Sequence, residues 1–586
     1  MTEQAGKIRM VRMLRPFLLA AGGFSLGINL LFLVAPLYML QVYDRVLTTG
    51  SLPTLIFLSC IAVFLLGIYL FADAGRRRVM ARASEYLGQE LGEETLRRGF
   101  NDPRKTPADT LAAASSLNQV QQLLSQGLPG ALFDLPFVPL FLGILFFVHP
   151  LIGAVSLIGA LLIVALAVIT ERTTKTPLDE ASQLDRRAQV ELAQLVRQRG
   201  AVVGMGMQNR ASARWSLLRR KGMDATLAAG VPATFLGAGT RSLRMILQIA
   251  VLATGAFLAI GGNVSAGAII ASSIIMGRGL APIDQMVNAW RQYVSGWKAV
   301  GDVAAWVGRE DHEPEAEPTP MPRPDPVVAL EELMVGVPGG EEALLPRIDH
   351  TFPRGRMVAV LGSSGSGKTS LLHTIAGAWP PHYGTMRLGG RDLIRWNAED
   401  RGRYVGYLPQ HVELLRGTVF ENIARFTETS PDQVFDAAKT VGCHDLILSL
   451  PDGYDTKIGD GGTVLSAGQR QAVGLARACF GAPPLMLLDE PTAHLDGPLA
   501  GKVMTLFAEL SRMPEEERLA TIFIATHDLR LLTAVDDVMV IKDRKIAITT
   551  RENYLAQVSE LRRSRMAKGD DSALTMEINE RRPESV

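Results

Sequence analysis

The stretch MVAVLGSSGSGKTS, residues 357–370, decides the fold of the C-terminal part of this chain. Its apolar start is typical of a buried strand, and the following spacing of Gly, four residues and Gly-Lys-Thr indicates a phosphate-binding loop that opens a helix. In such a loop backbone amides surround a β-phosphate, the lysine neutralises phosphate oxygens and the threonine hydroxyl ligates Mg²⁺. A glycine turn that only caps a helix is the weaker alternative. The predicted nucleotide-binding residues are Gly362, Ser363, Ser364, Gly365, Ser366, Gly367, Lys368, Thr369 and Ser370.

A second apolar segment, LMLLDEP, ends in two adjacent carboxylates, Asp489 and Glu490. We expect Asp489 to hold Mg²⁺ together with Thr369, and Glu490 to deprotonate the water that attacks the terminal phosphate. Taken alone, Asp-Glu after a strand is often only a solvated strand end. Combined with the phosphate loop, it predicts hydrolysis of a nucleoside triphosphate.

Between these two motifs lies LSAGQRQAVGLARA, residues 465–478. A serine at a helix start followed by an unobstructed glycine amide is suited to binding an anion. The stretch resembles the LSGGQ signature of the ATP-binding-cassette family, with Ala467 in place of the first glycine. The resemblance implies that Ser466, Gly468 and Gln469 belong to an ATP site completed by a partner subunit.

Three more residues match motifs of that family in the expected order. Gln410, in YLPQHVELL, resembles the glutamine that touches Mg²⁺ or the attacking water. His527, in FIATHDLR, resembles the histidine that contacts the γ-phosphate, and Asp496, in AHLD, resembles an aspartate at the dimer interface. Val337 stands where the family usually has an aromatic ring for adenine. This departure leads to the hypothesis of weaker selectivity for the nucleobase.

The sequence before residue 300 is that of a membrane domain, because its apolar residues are crowded into runs of about 20, the length that crosses a bilayer. The runs are 17–41, 52–74, 128–148, 151–170, 240–261 and 265–288. The predicted fold is an all-α six-helix transmembrane domain followed by an α/β nucleotide-binding domain. Its predicted parts are a transmembrane domain at 1–308, a Pro- and acid-rich linker at 309–326, the cassette at 327–550 and a disordered charged tail at 551–586.

Charge predicts how the chain is oriented in the membrane. The long segments 75–127 and 171–232 are rich in arginine, so the positive-inside rule puts them, and both termini, in the cytoplasm. Across the whole chain 60 Lys and Arg nearly balance 59 Asp and Glu, which argues against nucleic-acid binding by bulk charge. Three scattered cysteines indicate neither a disulfide framework nor a zinc site.

Two membrane stretches narrow the resemblance further. YMLQVYDRVLTTGSLPTL, residues 38–55, and SSIIMGRGLAPIDQMVNAWRQY, residues 272–293, resemble the permease-ATPases of bacterial type I secretion systems, especially the branch that exports alkaline proteases and RTX proteins. The resemblance implies a homodimer in the bacterial inner membrane that uses ATP and Mg²⁺ to export an unfolded polypeptide carrying a C-terminal signal. It also implies a periplasmic membrane-fusion adaptor and a TolC-like outer-membrane channel as partners.

Several alternatives stay open on the sequence alone. The same arrangement of six spans followed by one cassette also suits an exporter of lipids or small amphiphiles. A membrane-anchored regulatory ATPase is a second possibility. Arg278, deep in the last span, either faces a conduit, reaches toward the inner interface or pairs with a residue such as Asp284. Arg241 and Arg244, at the start of the fifth span, are expected at the interface.

Overall fold

The computed structural model describes residues 2–102, 105–126, 128–308, 322–340, 342–459, 462 and 464–567. The chain divides into two compact units, Met1–Glu313 and Pro314–Val586. The first contains only helices among its described residues, and the second combines helices with β-sheets. This confirms the predicted fold class. Most of the predicted linker, at 309–326, lies outside the described residues.

The first unit is built from helices of very unequal length. They are α1 (Thr2–Leu31), α2 (Val34–Gln41), α3 (Leu47–Thr49), α4 (Leu52–Asn101), α5 (Pro107–Ser125), α6 (Leu128–Asp134), α7 (Val138–Val148), α8 (Pro150–Arg197), α9 (Arg199–Gly204), α10 (Gln208–Ile260), α11 (Ala266–Asn288) and α12 (Trp290–Val307). A π-helical turn, Val42–Val46, joins α2 to α3, and a 3₁₀ turn, Leu135–Phe137, joins α6 to α7.

Within the described residues, six helical segments are long and apolar enough to cross a membrane, as the sequence predicts. They are Glu3–Thr49, Leu52–Asn101, Gly130–Val148, Pro150–Arg197, Gln208–Ile260 and Ala266–Val287. Local capping explains the short connections between successive spans. Gly50 has a left-handed φ of +66°, Ser51 caps α4, and the Ser265 hydroxyl accepts a hydrogen bond from the amide of Ala268 at 3.2 Å.

The helices α4, α8 and α10 extend far beyond the membrane-spanning length. They have 50, 48 and 53 residues, whereas about 20 are enough to cross the hydrocarbon layer. In the extension of α4, Leu87 and Leu91 are fully buried against Leu117 and Val120 of α5. Residues spaced by three or four lie on one face of a helix, so each of the two helices presents an apolar face to the other. This is the helix pair that the sequence predicts over 75–127.

The strands of the second unit are β1 (Val328–Gly336), β2 (Ala343–Phe352), β3 (Met357–Gly362), β4 (Tyr383–Leu388), β5 (Arg391–Asp392), β6 (Val405–Leu408), β7 (Gly417–Thr418), β8 (Lys457–Ile458), β9 (Leu485–Asp489), β10 (Thr521–Ala525), β11 (Asp537–Lys542) and β12 (Lys545–Thr550). They form a largely parallel six-stranded sheet in the order β12-β11-β3-β10-β9-β6, and a four-stranded antiparallel sheet in the order β2-β1-β4-β5. The pair β7-β8 forms a separate antiparallel ribbon.

Helices cover both faces of the six-stranded sheet. They are α13 (Lys368–Ile375), α14 (Ala398–Tyr404), α15 (Val419–Ile423), α16 (Pro431–Val441), α17 (His444–Leu448), α18 (Ala467–Cys479), α19 (Gly497–Arg512) and α20 (Arg551–Ala567). Alternate residues of β3 enter two different cores. Met357 and Ala359 pack with α16, α18 and α19, whereas Val358 and Val360 pack with α13 and the antiparallel sheet.

The prediction that residues 551–586 form a disordered tail is wrong for the first part of this segment, because residues 551–567 form α20. Glu, Leu, Arg and Ala dominate this stretch, and these residues favour helix even when few of them are apolar. The helix is also attached to the domain, since Tyr554 packs against the core under α16 and α18 and Arg551 donates a hydrogen bond to the Thr533 carbonyl at 3.2 Å. The rest of the predicted tail lies outside the described residues.

Candidate nucleotide-hydrolysis site

The predicted phosphate loop connects the end of β3 to the start of α13. Two of its glycines have left-handed backbones, with φ of +77° at Gly365 and +102° at Gly367, conformations that side chains disfavour. At Gly362 a Cβ would lie 2.7 Å from the Ile541 carbonyl oxygen, so the strand end also requires glycine. The loop therefore turns tightly and presents backbone amides at the N-terminus of α13, a geometry suited to an anion.

Lys368 is buried beneath this loop with its amine turned toward it. The amine donates hydrogen bonds to the carbonyls of Gly362 at 2.8 Å and Ser363 at 3.1 Å. Burial lowers the pKa of Lys368, while the carboxylates of Glu490 and Asp489 act in the opposite direction. The positive charge is thus held at the place where phosphate oxygens would enter.

The predicted carboxylate pair lies beside the loop, because β9 and β3 flank β10 and all three parallel strands end at one edge of the sheet. Asp489 is almost fully buried and accepts a hydrogen bond from the Thr369 hydroxyl at 2.6 Å. Burial raises the pKa of Asp489, opposed by the Thr369 hydrogen bond and the nearby Lys368 charge. The two residues predicted to share a metal ion are therefore in direct contact.

Glu490 follows β9 in a left-handed backbone conformation, with φ of +49°. A non-glycine residue pays of order 1–3 kcal/mol for such a conformation. Three hydrogen bonds hold it there. Its amide donates to the Ala525 carbonyl at 2.8 Å, and its carbonyl accepts from the Gln471 side chain at 3.2 Å and from the Ala493 amide at 3.0 Å. This backbone directs the carboxylate away from the strand and toward His527.

His527 connects the carboxylate to the lysine. Its Nε2 lies 3.1 Å from the Lys368 amine and 3.7 Å from a Glu490 carboxylate oxygen. This ring nitrogen therefore lies between the lysine amine and the carboxylate. The fold thus brings five sequence-predicted residues into one cluster. They are Lys368, Thr369, Asp489, Glu490 and His527.

Gln410 lies just beyond β6, the edge strand beside β9, and its side chain is exposed. Among the described residues no hydrogen bond ties this side chain to the cluster. Its predicted role toward Mg²⁺ or water therefore stays a prediction.

The predicted signature residues open α18. Ser466 and Gln469 form a reciprocal capping box, in which the Ser466 amide donates to the Gln469 side chain at 2.9 Å and the Gln469 amide donates to the Ser466 hydroxyl at 3.2 Å. At Gly468 a Cβ would lie 2.7 Å from the His494 carbonyl oxygen, so the glycine permits close backbone approach. Ser466 is exposed at this helix start.

Asp496 also has a structural role, as a helix cap, that the sequence did not indicate. Its carboxylate accepts a hydrogen bond from the Leu499 amide at 2.9 Å and caps α19. Gln471 is a second residue that the sequence reasoning missed, although it lies three residues beyond Gly468 on the signature helix. Its side chain contacts the backbone carbonyl of Glu490, and no sequence motif predicts a hydrogen bond to a backbone carbonyl.

Val337 is exposed in the turn between β1 and β2. This hairpin lies beside the phosphate loop, since a Cβ on Gly367 would lie 3.0 Å from the Leu345 side chain and 3.4 Å from that of Leu344. The side chains that border the loop here are aliphatic.

Comparison with known proteins places this geometry in a family. The family described as ABC transporter matches residues 345–493, and the ABC transporter transmembrane region matches residues 18–279. The chain is 36% identical over 556 residues to the type I secretion system ATP-binding protein PrsD of Rhizobium meliloti, covering 93% of each chain. It is 25% identical to the alpha-hemolysin translocation ATP-binding protein HlyB of Escherichia coli, covering 89% of this chain and 74% of that one.

The fold also matches a solved structure, a bacterial Atm1-family ABC exporter with ATP bound, with a TM-score of 0.77, 18% identity and coverage of 98% of this chain and 99% of that chain. The hydrolytic cluster and the two matched regions identify an ATPase coupled to export. The chain is an ABC exporter and belongs to the family of type I secretion system ATP-binding proteins.

Proposed function

We propose that this chain powers the one-step export of an unfolded polypeptide with a C-terminal signal. The observation that carries the proposal is the cluster of Lys368, Asp489, Glu490 and His527, which supplies a hydrolytic motor in a chain that also has six membrane-spanning segments. Relatives named for type I secretion and for toxin translocation support polypeptide as the cargo.

The residues of the cluster divide the chemistry of phosphate transfer. ATP binds with its β- and γ-phosphates against the amides of the phosphate loop and the Lys368 amine. A water attacks the γ-phosphorus, the bond to the β–γ bridging oxygen breaks, and the proton of the water passes to Glu490. His527, already within reach of Lys368 and Glu490, contacts the γ-phosphate and keeps the attacking water in position.

The site is suited to Mg²⁺. Thr369 and Asp489 offer two hard oxygen ligands in contact with each other, and the described residues contain no larger cluster of ligating side chains. Mg²⁺ usually keeps several waters and takes only one or two protein ligands beside the phosphates. When bound, the ion would neutralise phosphate charge. Gln410 is proposed as an additional contact to its hydration shell.

We further propose that the chain acts as a homodimer in the bacterial inner membrane, with both termini in the cytoplasm. One chain has the full set of motifs, and Ser466 is exposed at the start of α18, where a second copy's ATP can reach it. A periplasmic membrane-fusion adaptor and a TolC-like outer-membrane channel complete the proposed path.

Deleting the gene in its native host and comparing the proteins in the medium tests the proposal. We expect one or a few polypeptides to disappear from the medium, to return with the wild-type gene, and not to return with Glu490→Gln. The matched control is Glu509→Gln, which neutralises an exposed glutamate on α19. An unchanged set of secreted proteins, together with altered lipid or amphiphile content of the medium, would favour the small-molecule exporter instead.

A further inference from the structure

Two carboxylates within the predicted membrane spans, Asp134 and Asp284, are neutralised by ion pairs. Asp134 lies 2.9 Å from the Arg76 guanidinium, and Asp284 lies 2.8 Å from that of Arg244. The expected interfacial position of Arg244 stays a prediction. Arg278 is different, because no carboxylate of the described residues lies within ion-pair distance of it and its side chain is exposed.

Arg278 is also deep in its span. It lies twelve residues after the start of α11 and ten before its end, which corresponds to about 18 Å and about 15 Å along the helix. A hydrocarbon layer is about 30 Å thick, so the residue sits near its middle. A charge there is costly in lipid, and such residues face the protein interior or a water-filled cavity.

One face of α11 carries two exposed polar residues. Side chains at 274, 278, 281 and 285 recur every three or four residues along it; Arg278 and Gln285 are exposed, whereas Ile274 and Ala281 are apolar and half-buried. By contrast, the exposed face of α4 carries Phe57, Phe64 and Phe71. The two exposed polar residues favour a water-filled path beside this face of α11.

Two aromatic rings, Phe32 and Tyr69, lie next to the Arg278 guanidinium or to each other. The Arg278 Cζ atom lies 5.2 Å from the ring centroid of Phe32, at the break between α1 and α2. The Phe32 ring in turn lies 5.4 Å from the ring of Tyr69 on α4. A cation–π contact of this kind uses none of the N–H donors of the guanidinium. Within the described part of the chain, none of those donors makes a hydrogen bond.

We propose that Arg278, in cation–π contact with Phe32, is a binding point for carboxylate side chains of the polypeptide in transit. A planar guanidinium with free in-plane donors matches a carboxylate through two parallel hydrogen bonds. An unfolded chain presents its Asp and Glu side chains one after another, so a single such point retains an acidic segment without recognising its sequence. This inference rests on the proposed function, because it requires a polypeptide cargo.

The test uses the full chain in phosphatidylcholine nanodiscs and a fluorescent glycine–aspartate repeat peptide, with glycine–asparagine and glycine–lysine peptides for comparison. We expect Arg278→Ala to weaken binding of the acidic peptide about tenfold, equivalent to about 1.4 kcal/mol, and to leave binding of the asparagine peptide unchanged. Arg278→Lys keeps the charge but loses the planar fork, so a smaller loss is expected. Arg278→Glu should reverse the preference toward the lysine peptide.

Arg241→Ala, which removes another exposed arginine of the membrane domain, is the matched control and should have little effect. Equal affinities of wild type and Arg278→Ala for the acidic peptide would overturn the inference, as would a parallel loss for the asparagine peptide. Competition by phosphatidylglycerol would assign the arginine to a lipid headgroup and overturn it too. If the wild type binds none of the three peptides, the proposed polypeptide cargo is contradicted as well. That result differs from one in which the wild type binds peptides but Arg278→Ala binds them equally well, which contradicts only the role of Arg278.

Discussion

At the scale of single residues, the hydrolytic site depends on backbone as much as on side chains. Glu490 adopts its left-handed conformation because the Ala525 carbonyl and the Gln471 amide hold its peptide groups. Gly468 and Gly362 are required because neighbouring carbonyl oxygens approach within 2.7 Å of where a Cβ would be. These contacts fix where the proposed catalytic carboxylate and the signature amide point before any nucleotide binds.

Val337 leads to a prediction about nucleobase selectivity. The hairpin beside the phosphate loop offers Val337 and Leu344 to a base, and aliphatic side chains would not discriminate its ring substituents. We expect the wild type to hydrolyse GTP and ATP at comparable rates. Val337→Tyr should lower the KM for ATP roughly two- to tenfold, because aromatic stacking adds about 0.5–1.5 kcal/mol.

Steady-state phosphate release with ATP and GTP measures both effects, and Val337→Leu is the control that keeps an aliphatic side chain. A wild-type enzyme that strictly prefers ATP with micromolar affinity would contradict the prediction.

Cys443 leads to a prediction about pH. Burial raises the pKa of its thiol to about 12, from an ordinary value of 9.0, because the thiolate would be desolvated. The unfolded chain ionises above pH 9 while the folded chain does not, so this residue makes stability fall as pH rises from about 9 toward 12. At pH 8 the native thiol should resist alkylation by N-ethylmaleimide, since the thiolate is the reactive form.

Mass spectrometry of the native and urea-unfolded protein measures the modification at this position. Cys443 should be modified only after unfolding, and equal rates in the two states would contradict the burial.

At the scale of helices and strands, the sequence was most informative about apolar run length, the alternation of elements and strand ends. The six spans follow from runs of about 20 apolar residues, and the largely parallel sheet follows from alternating strand and helix patterns. Thr369 contacts Asp489 because parallel strands end at one edge of the sheet. Sequence reasoning failed where tertiary contact decides. The helix α20 has few apolar residues, yet Tyr554 docks it to the core. The capping role of Asp496 and the Gln471 contact also depend on backbone positions that no side-chain pattern records.

A buried polar network joins three elements of the membrane unit, α1, α4 and α6. Asp134 accepts hydrogen bonds from Asn29 at 2.8 Å and from Arg76 at 2.9 Å, and Arg76 also donates to Ser25 at 2.9 Å. Without Asp134, the buried Asn29 amide loses one of its two acceptors and Arg76 keeps only Asp73, 3.1 Å away, as an ionic partner, a loss of order 1–3 kcal/mol. We therefore expect Asp134→Ala to lower the thermal unfolding midpoint of the detergent-solubilised protein markedly.

Asp134→Asn, which keeps an acceptor for Asn29, should lower that midpoint less. Arg82→Ala removes an exposed arginine of α4 and should change it little. Equal midpoints for Asp134→Ala and Arg82→Ala would show that the network does not hold the helices together.

At the scale of the whole molecule, the proposed homodimer makes a prediction that a self-contained site does not. If each ATP site combines Lys368 of one copy with Ser466 of another, Lys368→Ala and Ser466→Ala each damage both sites of their own dimer. A mixed dimer places both lesions in one site and leaves the other site intact. Equal co-expression should therefore restore about a quarter of the wild-type sites, because about half of the dimers are mixed. Differently tagged subunits allow mixed dimers to be purified and their ATP hydrolysis to be measured. If the mixed dimers are no more active than the mean of the two single-variant dimers, each site is completed within one chain.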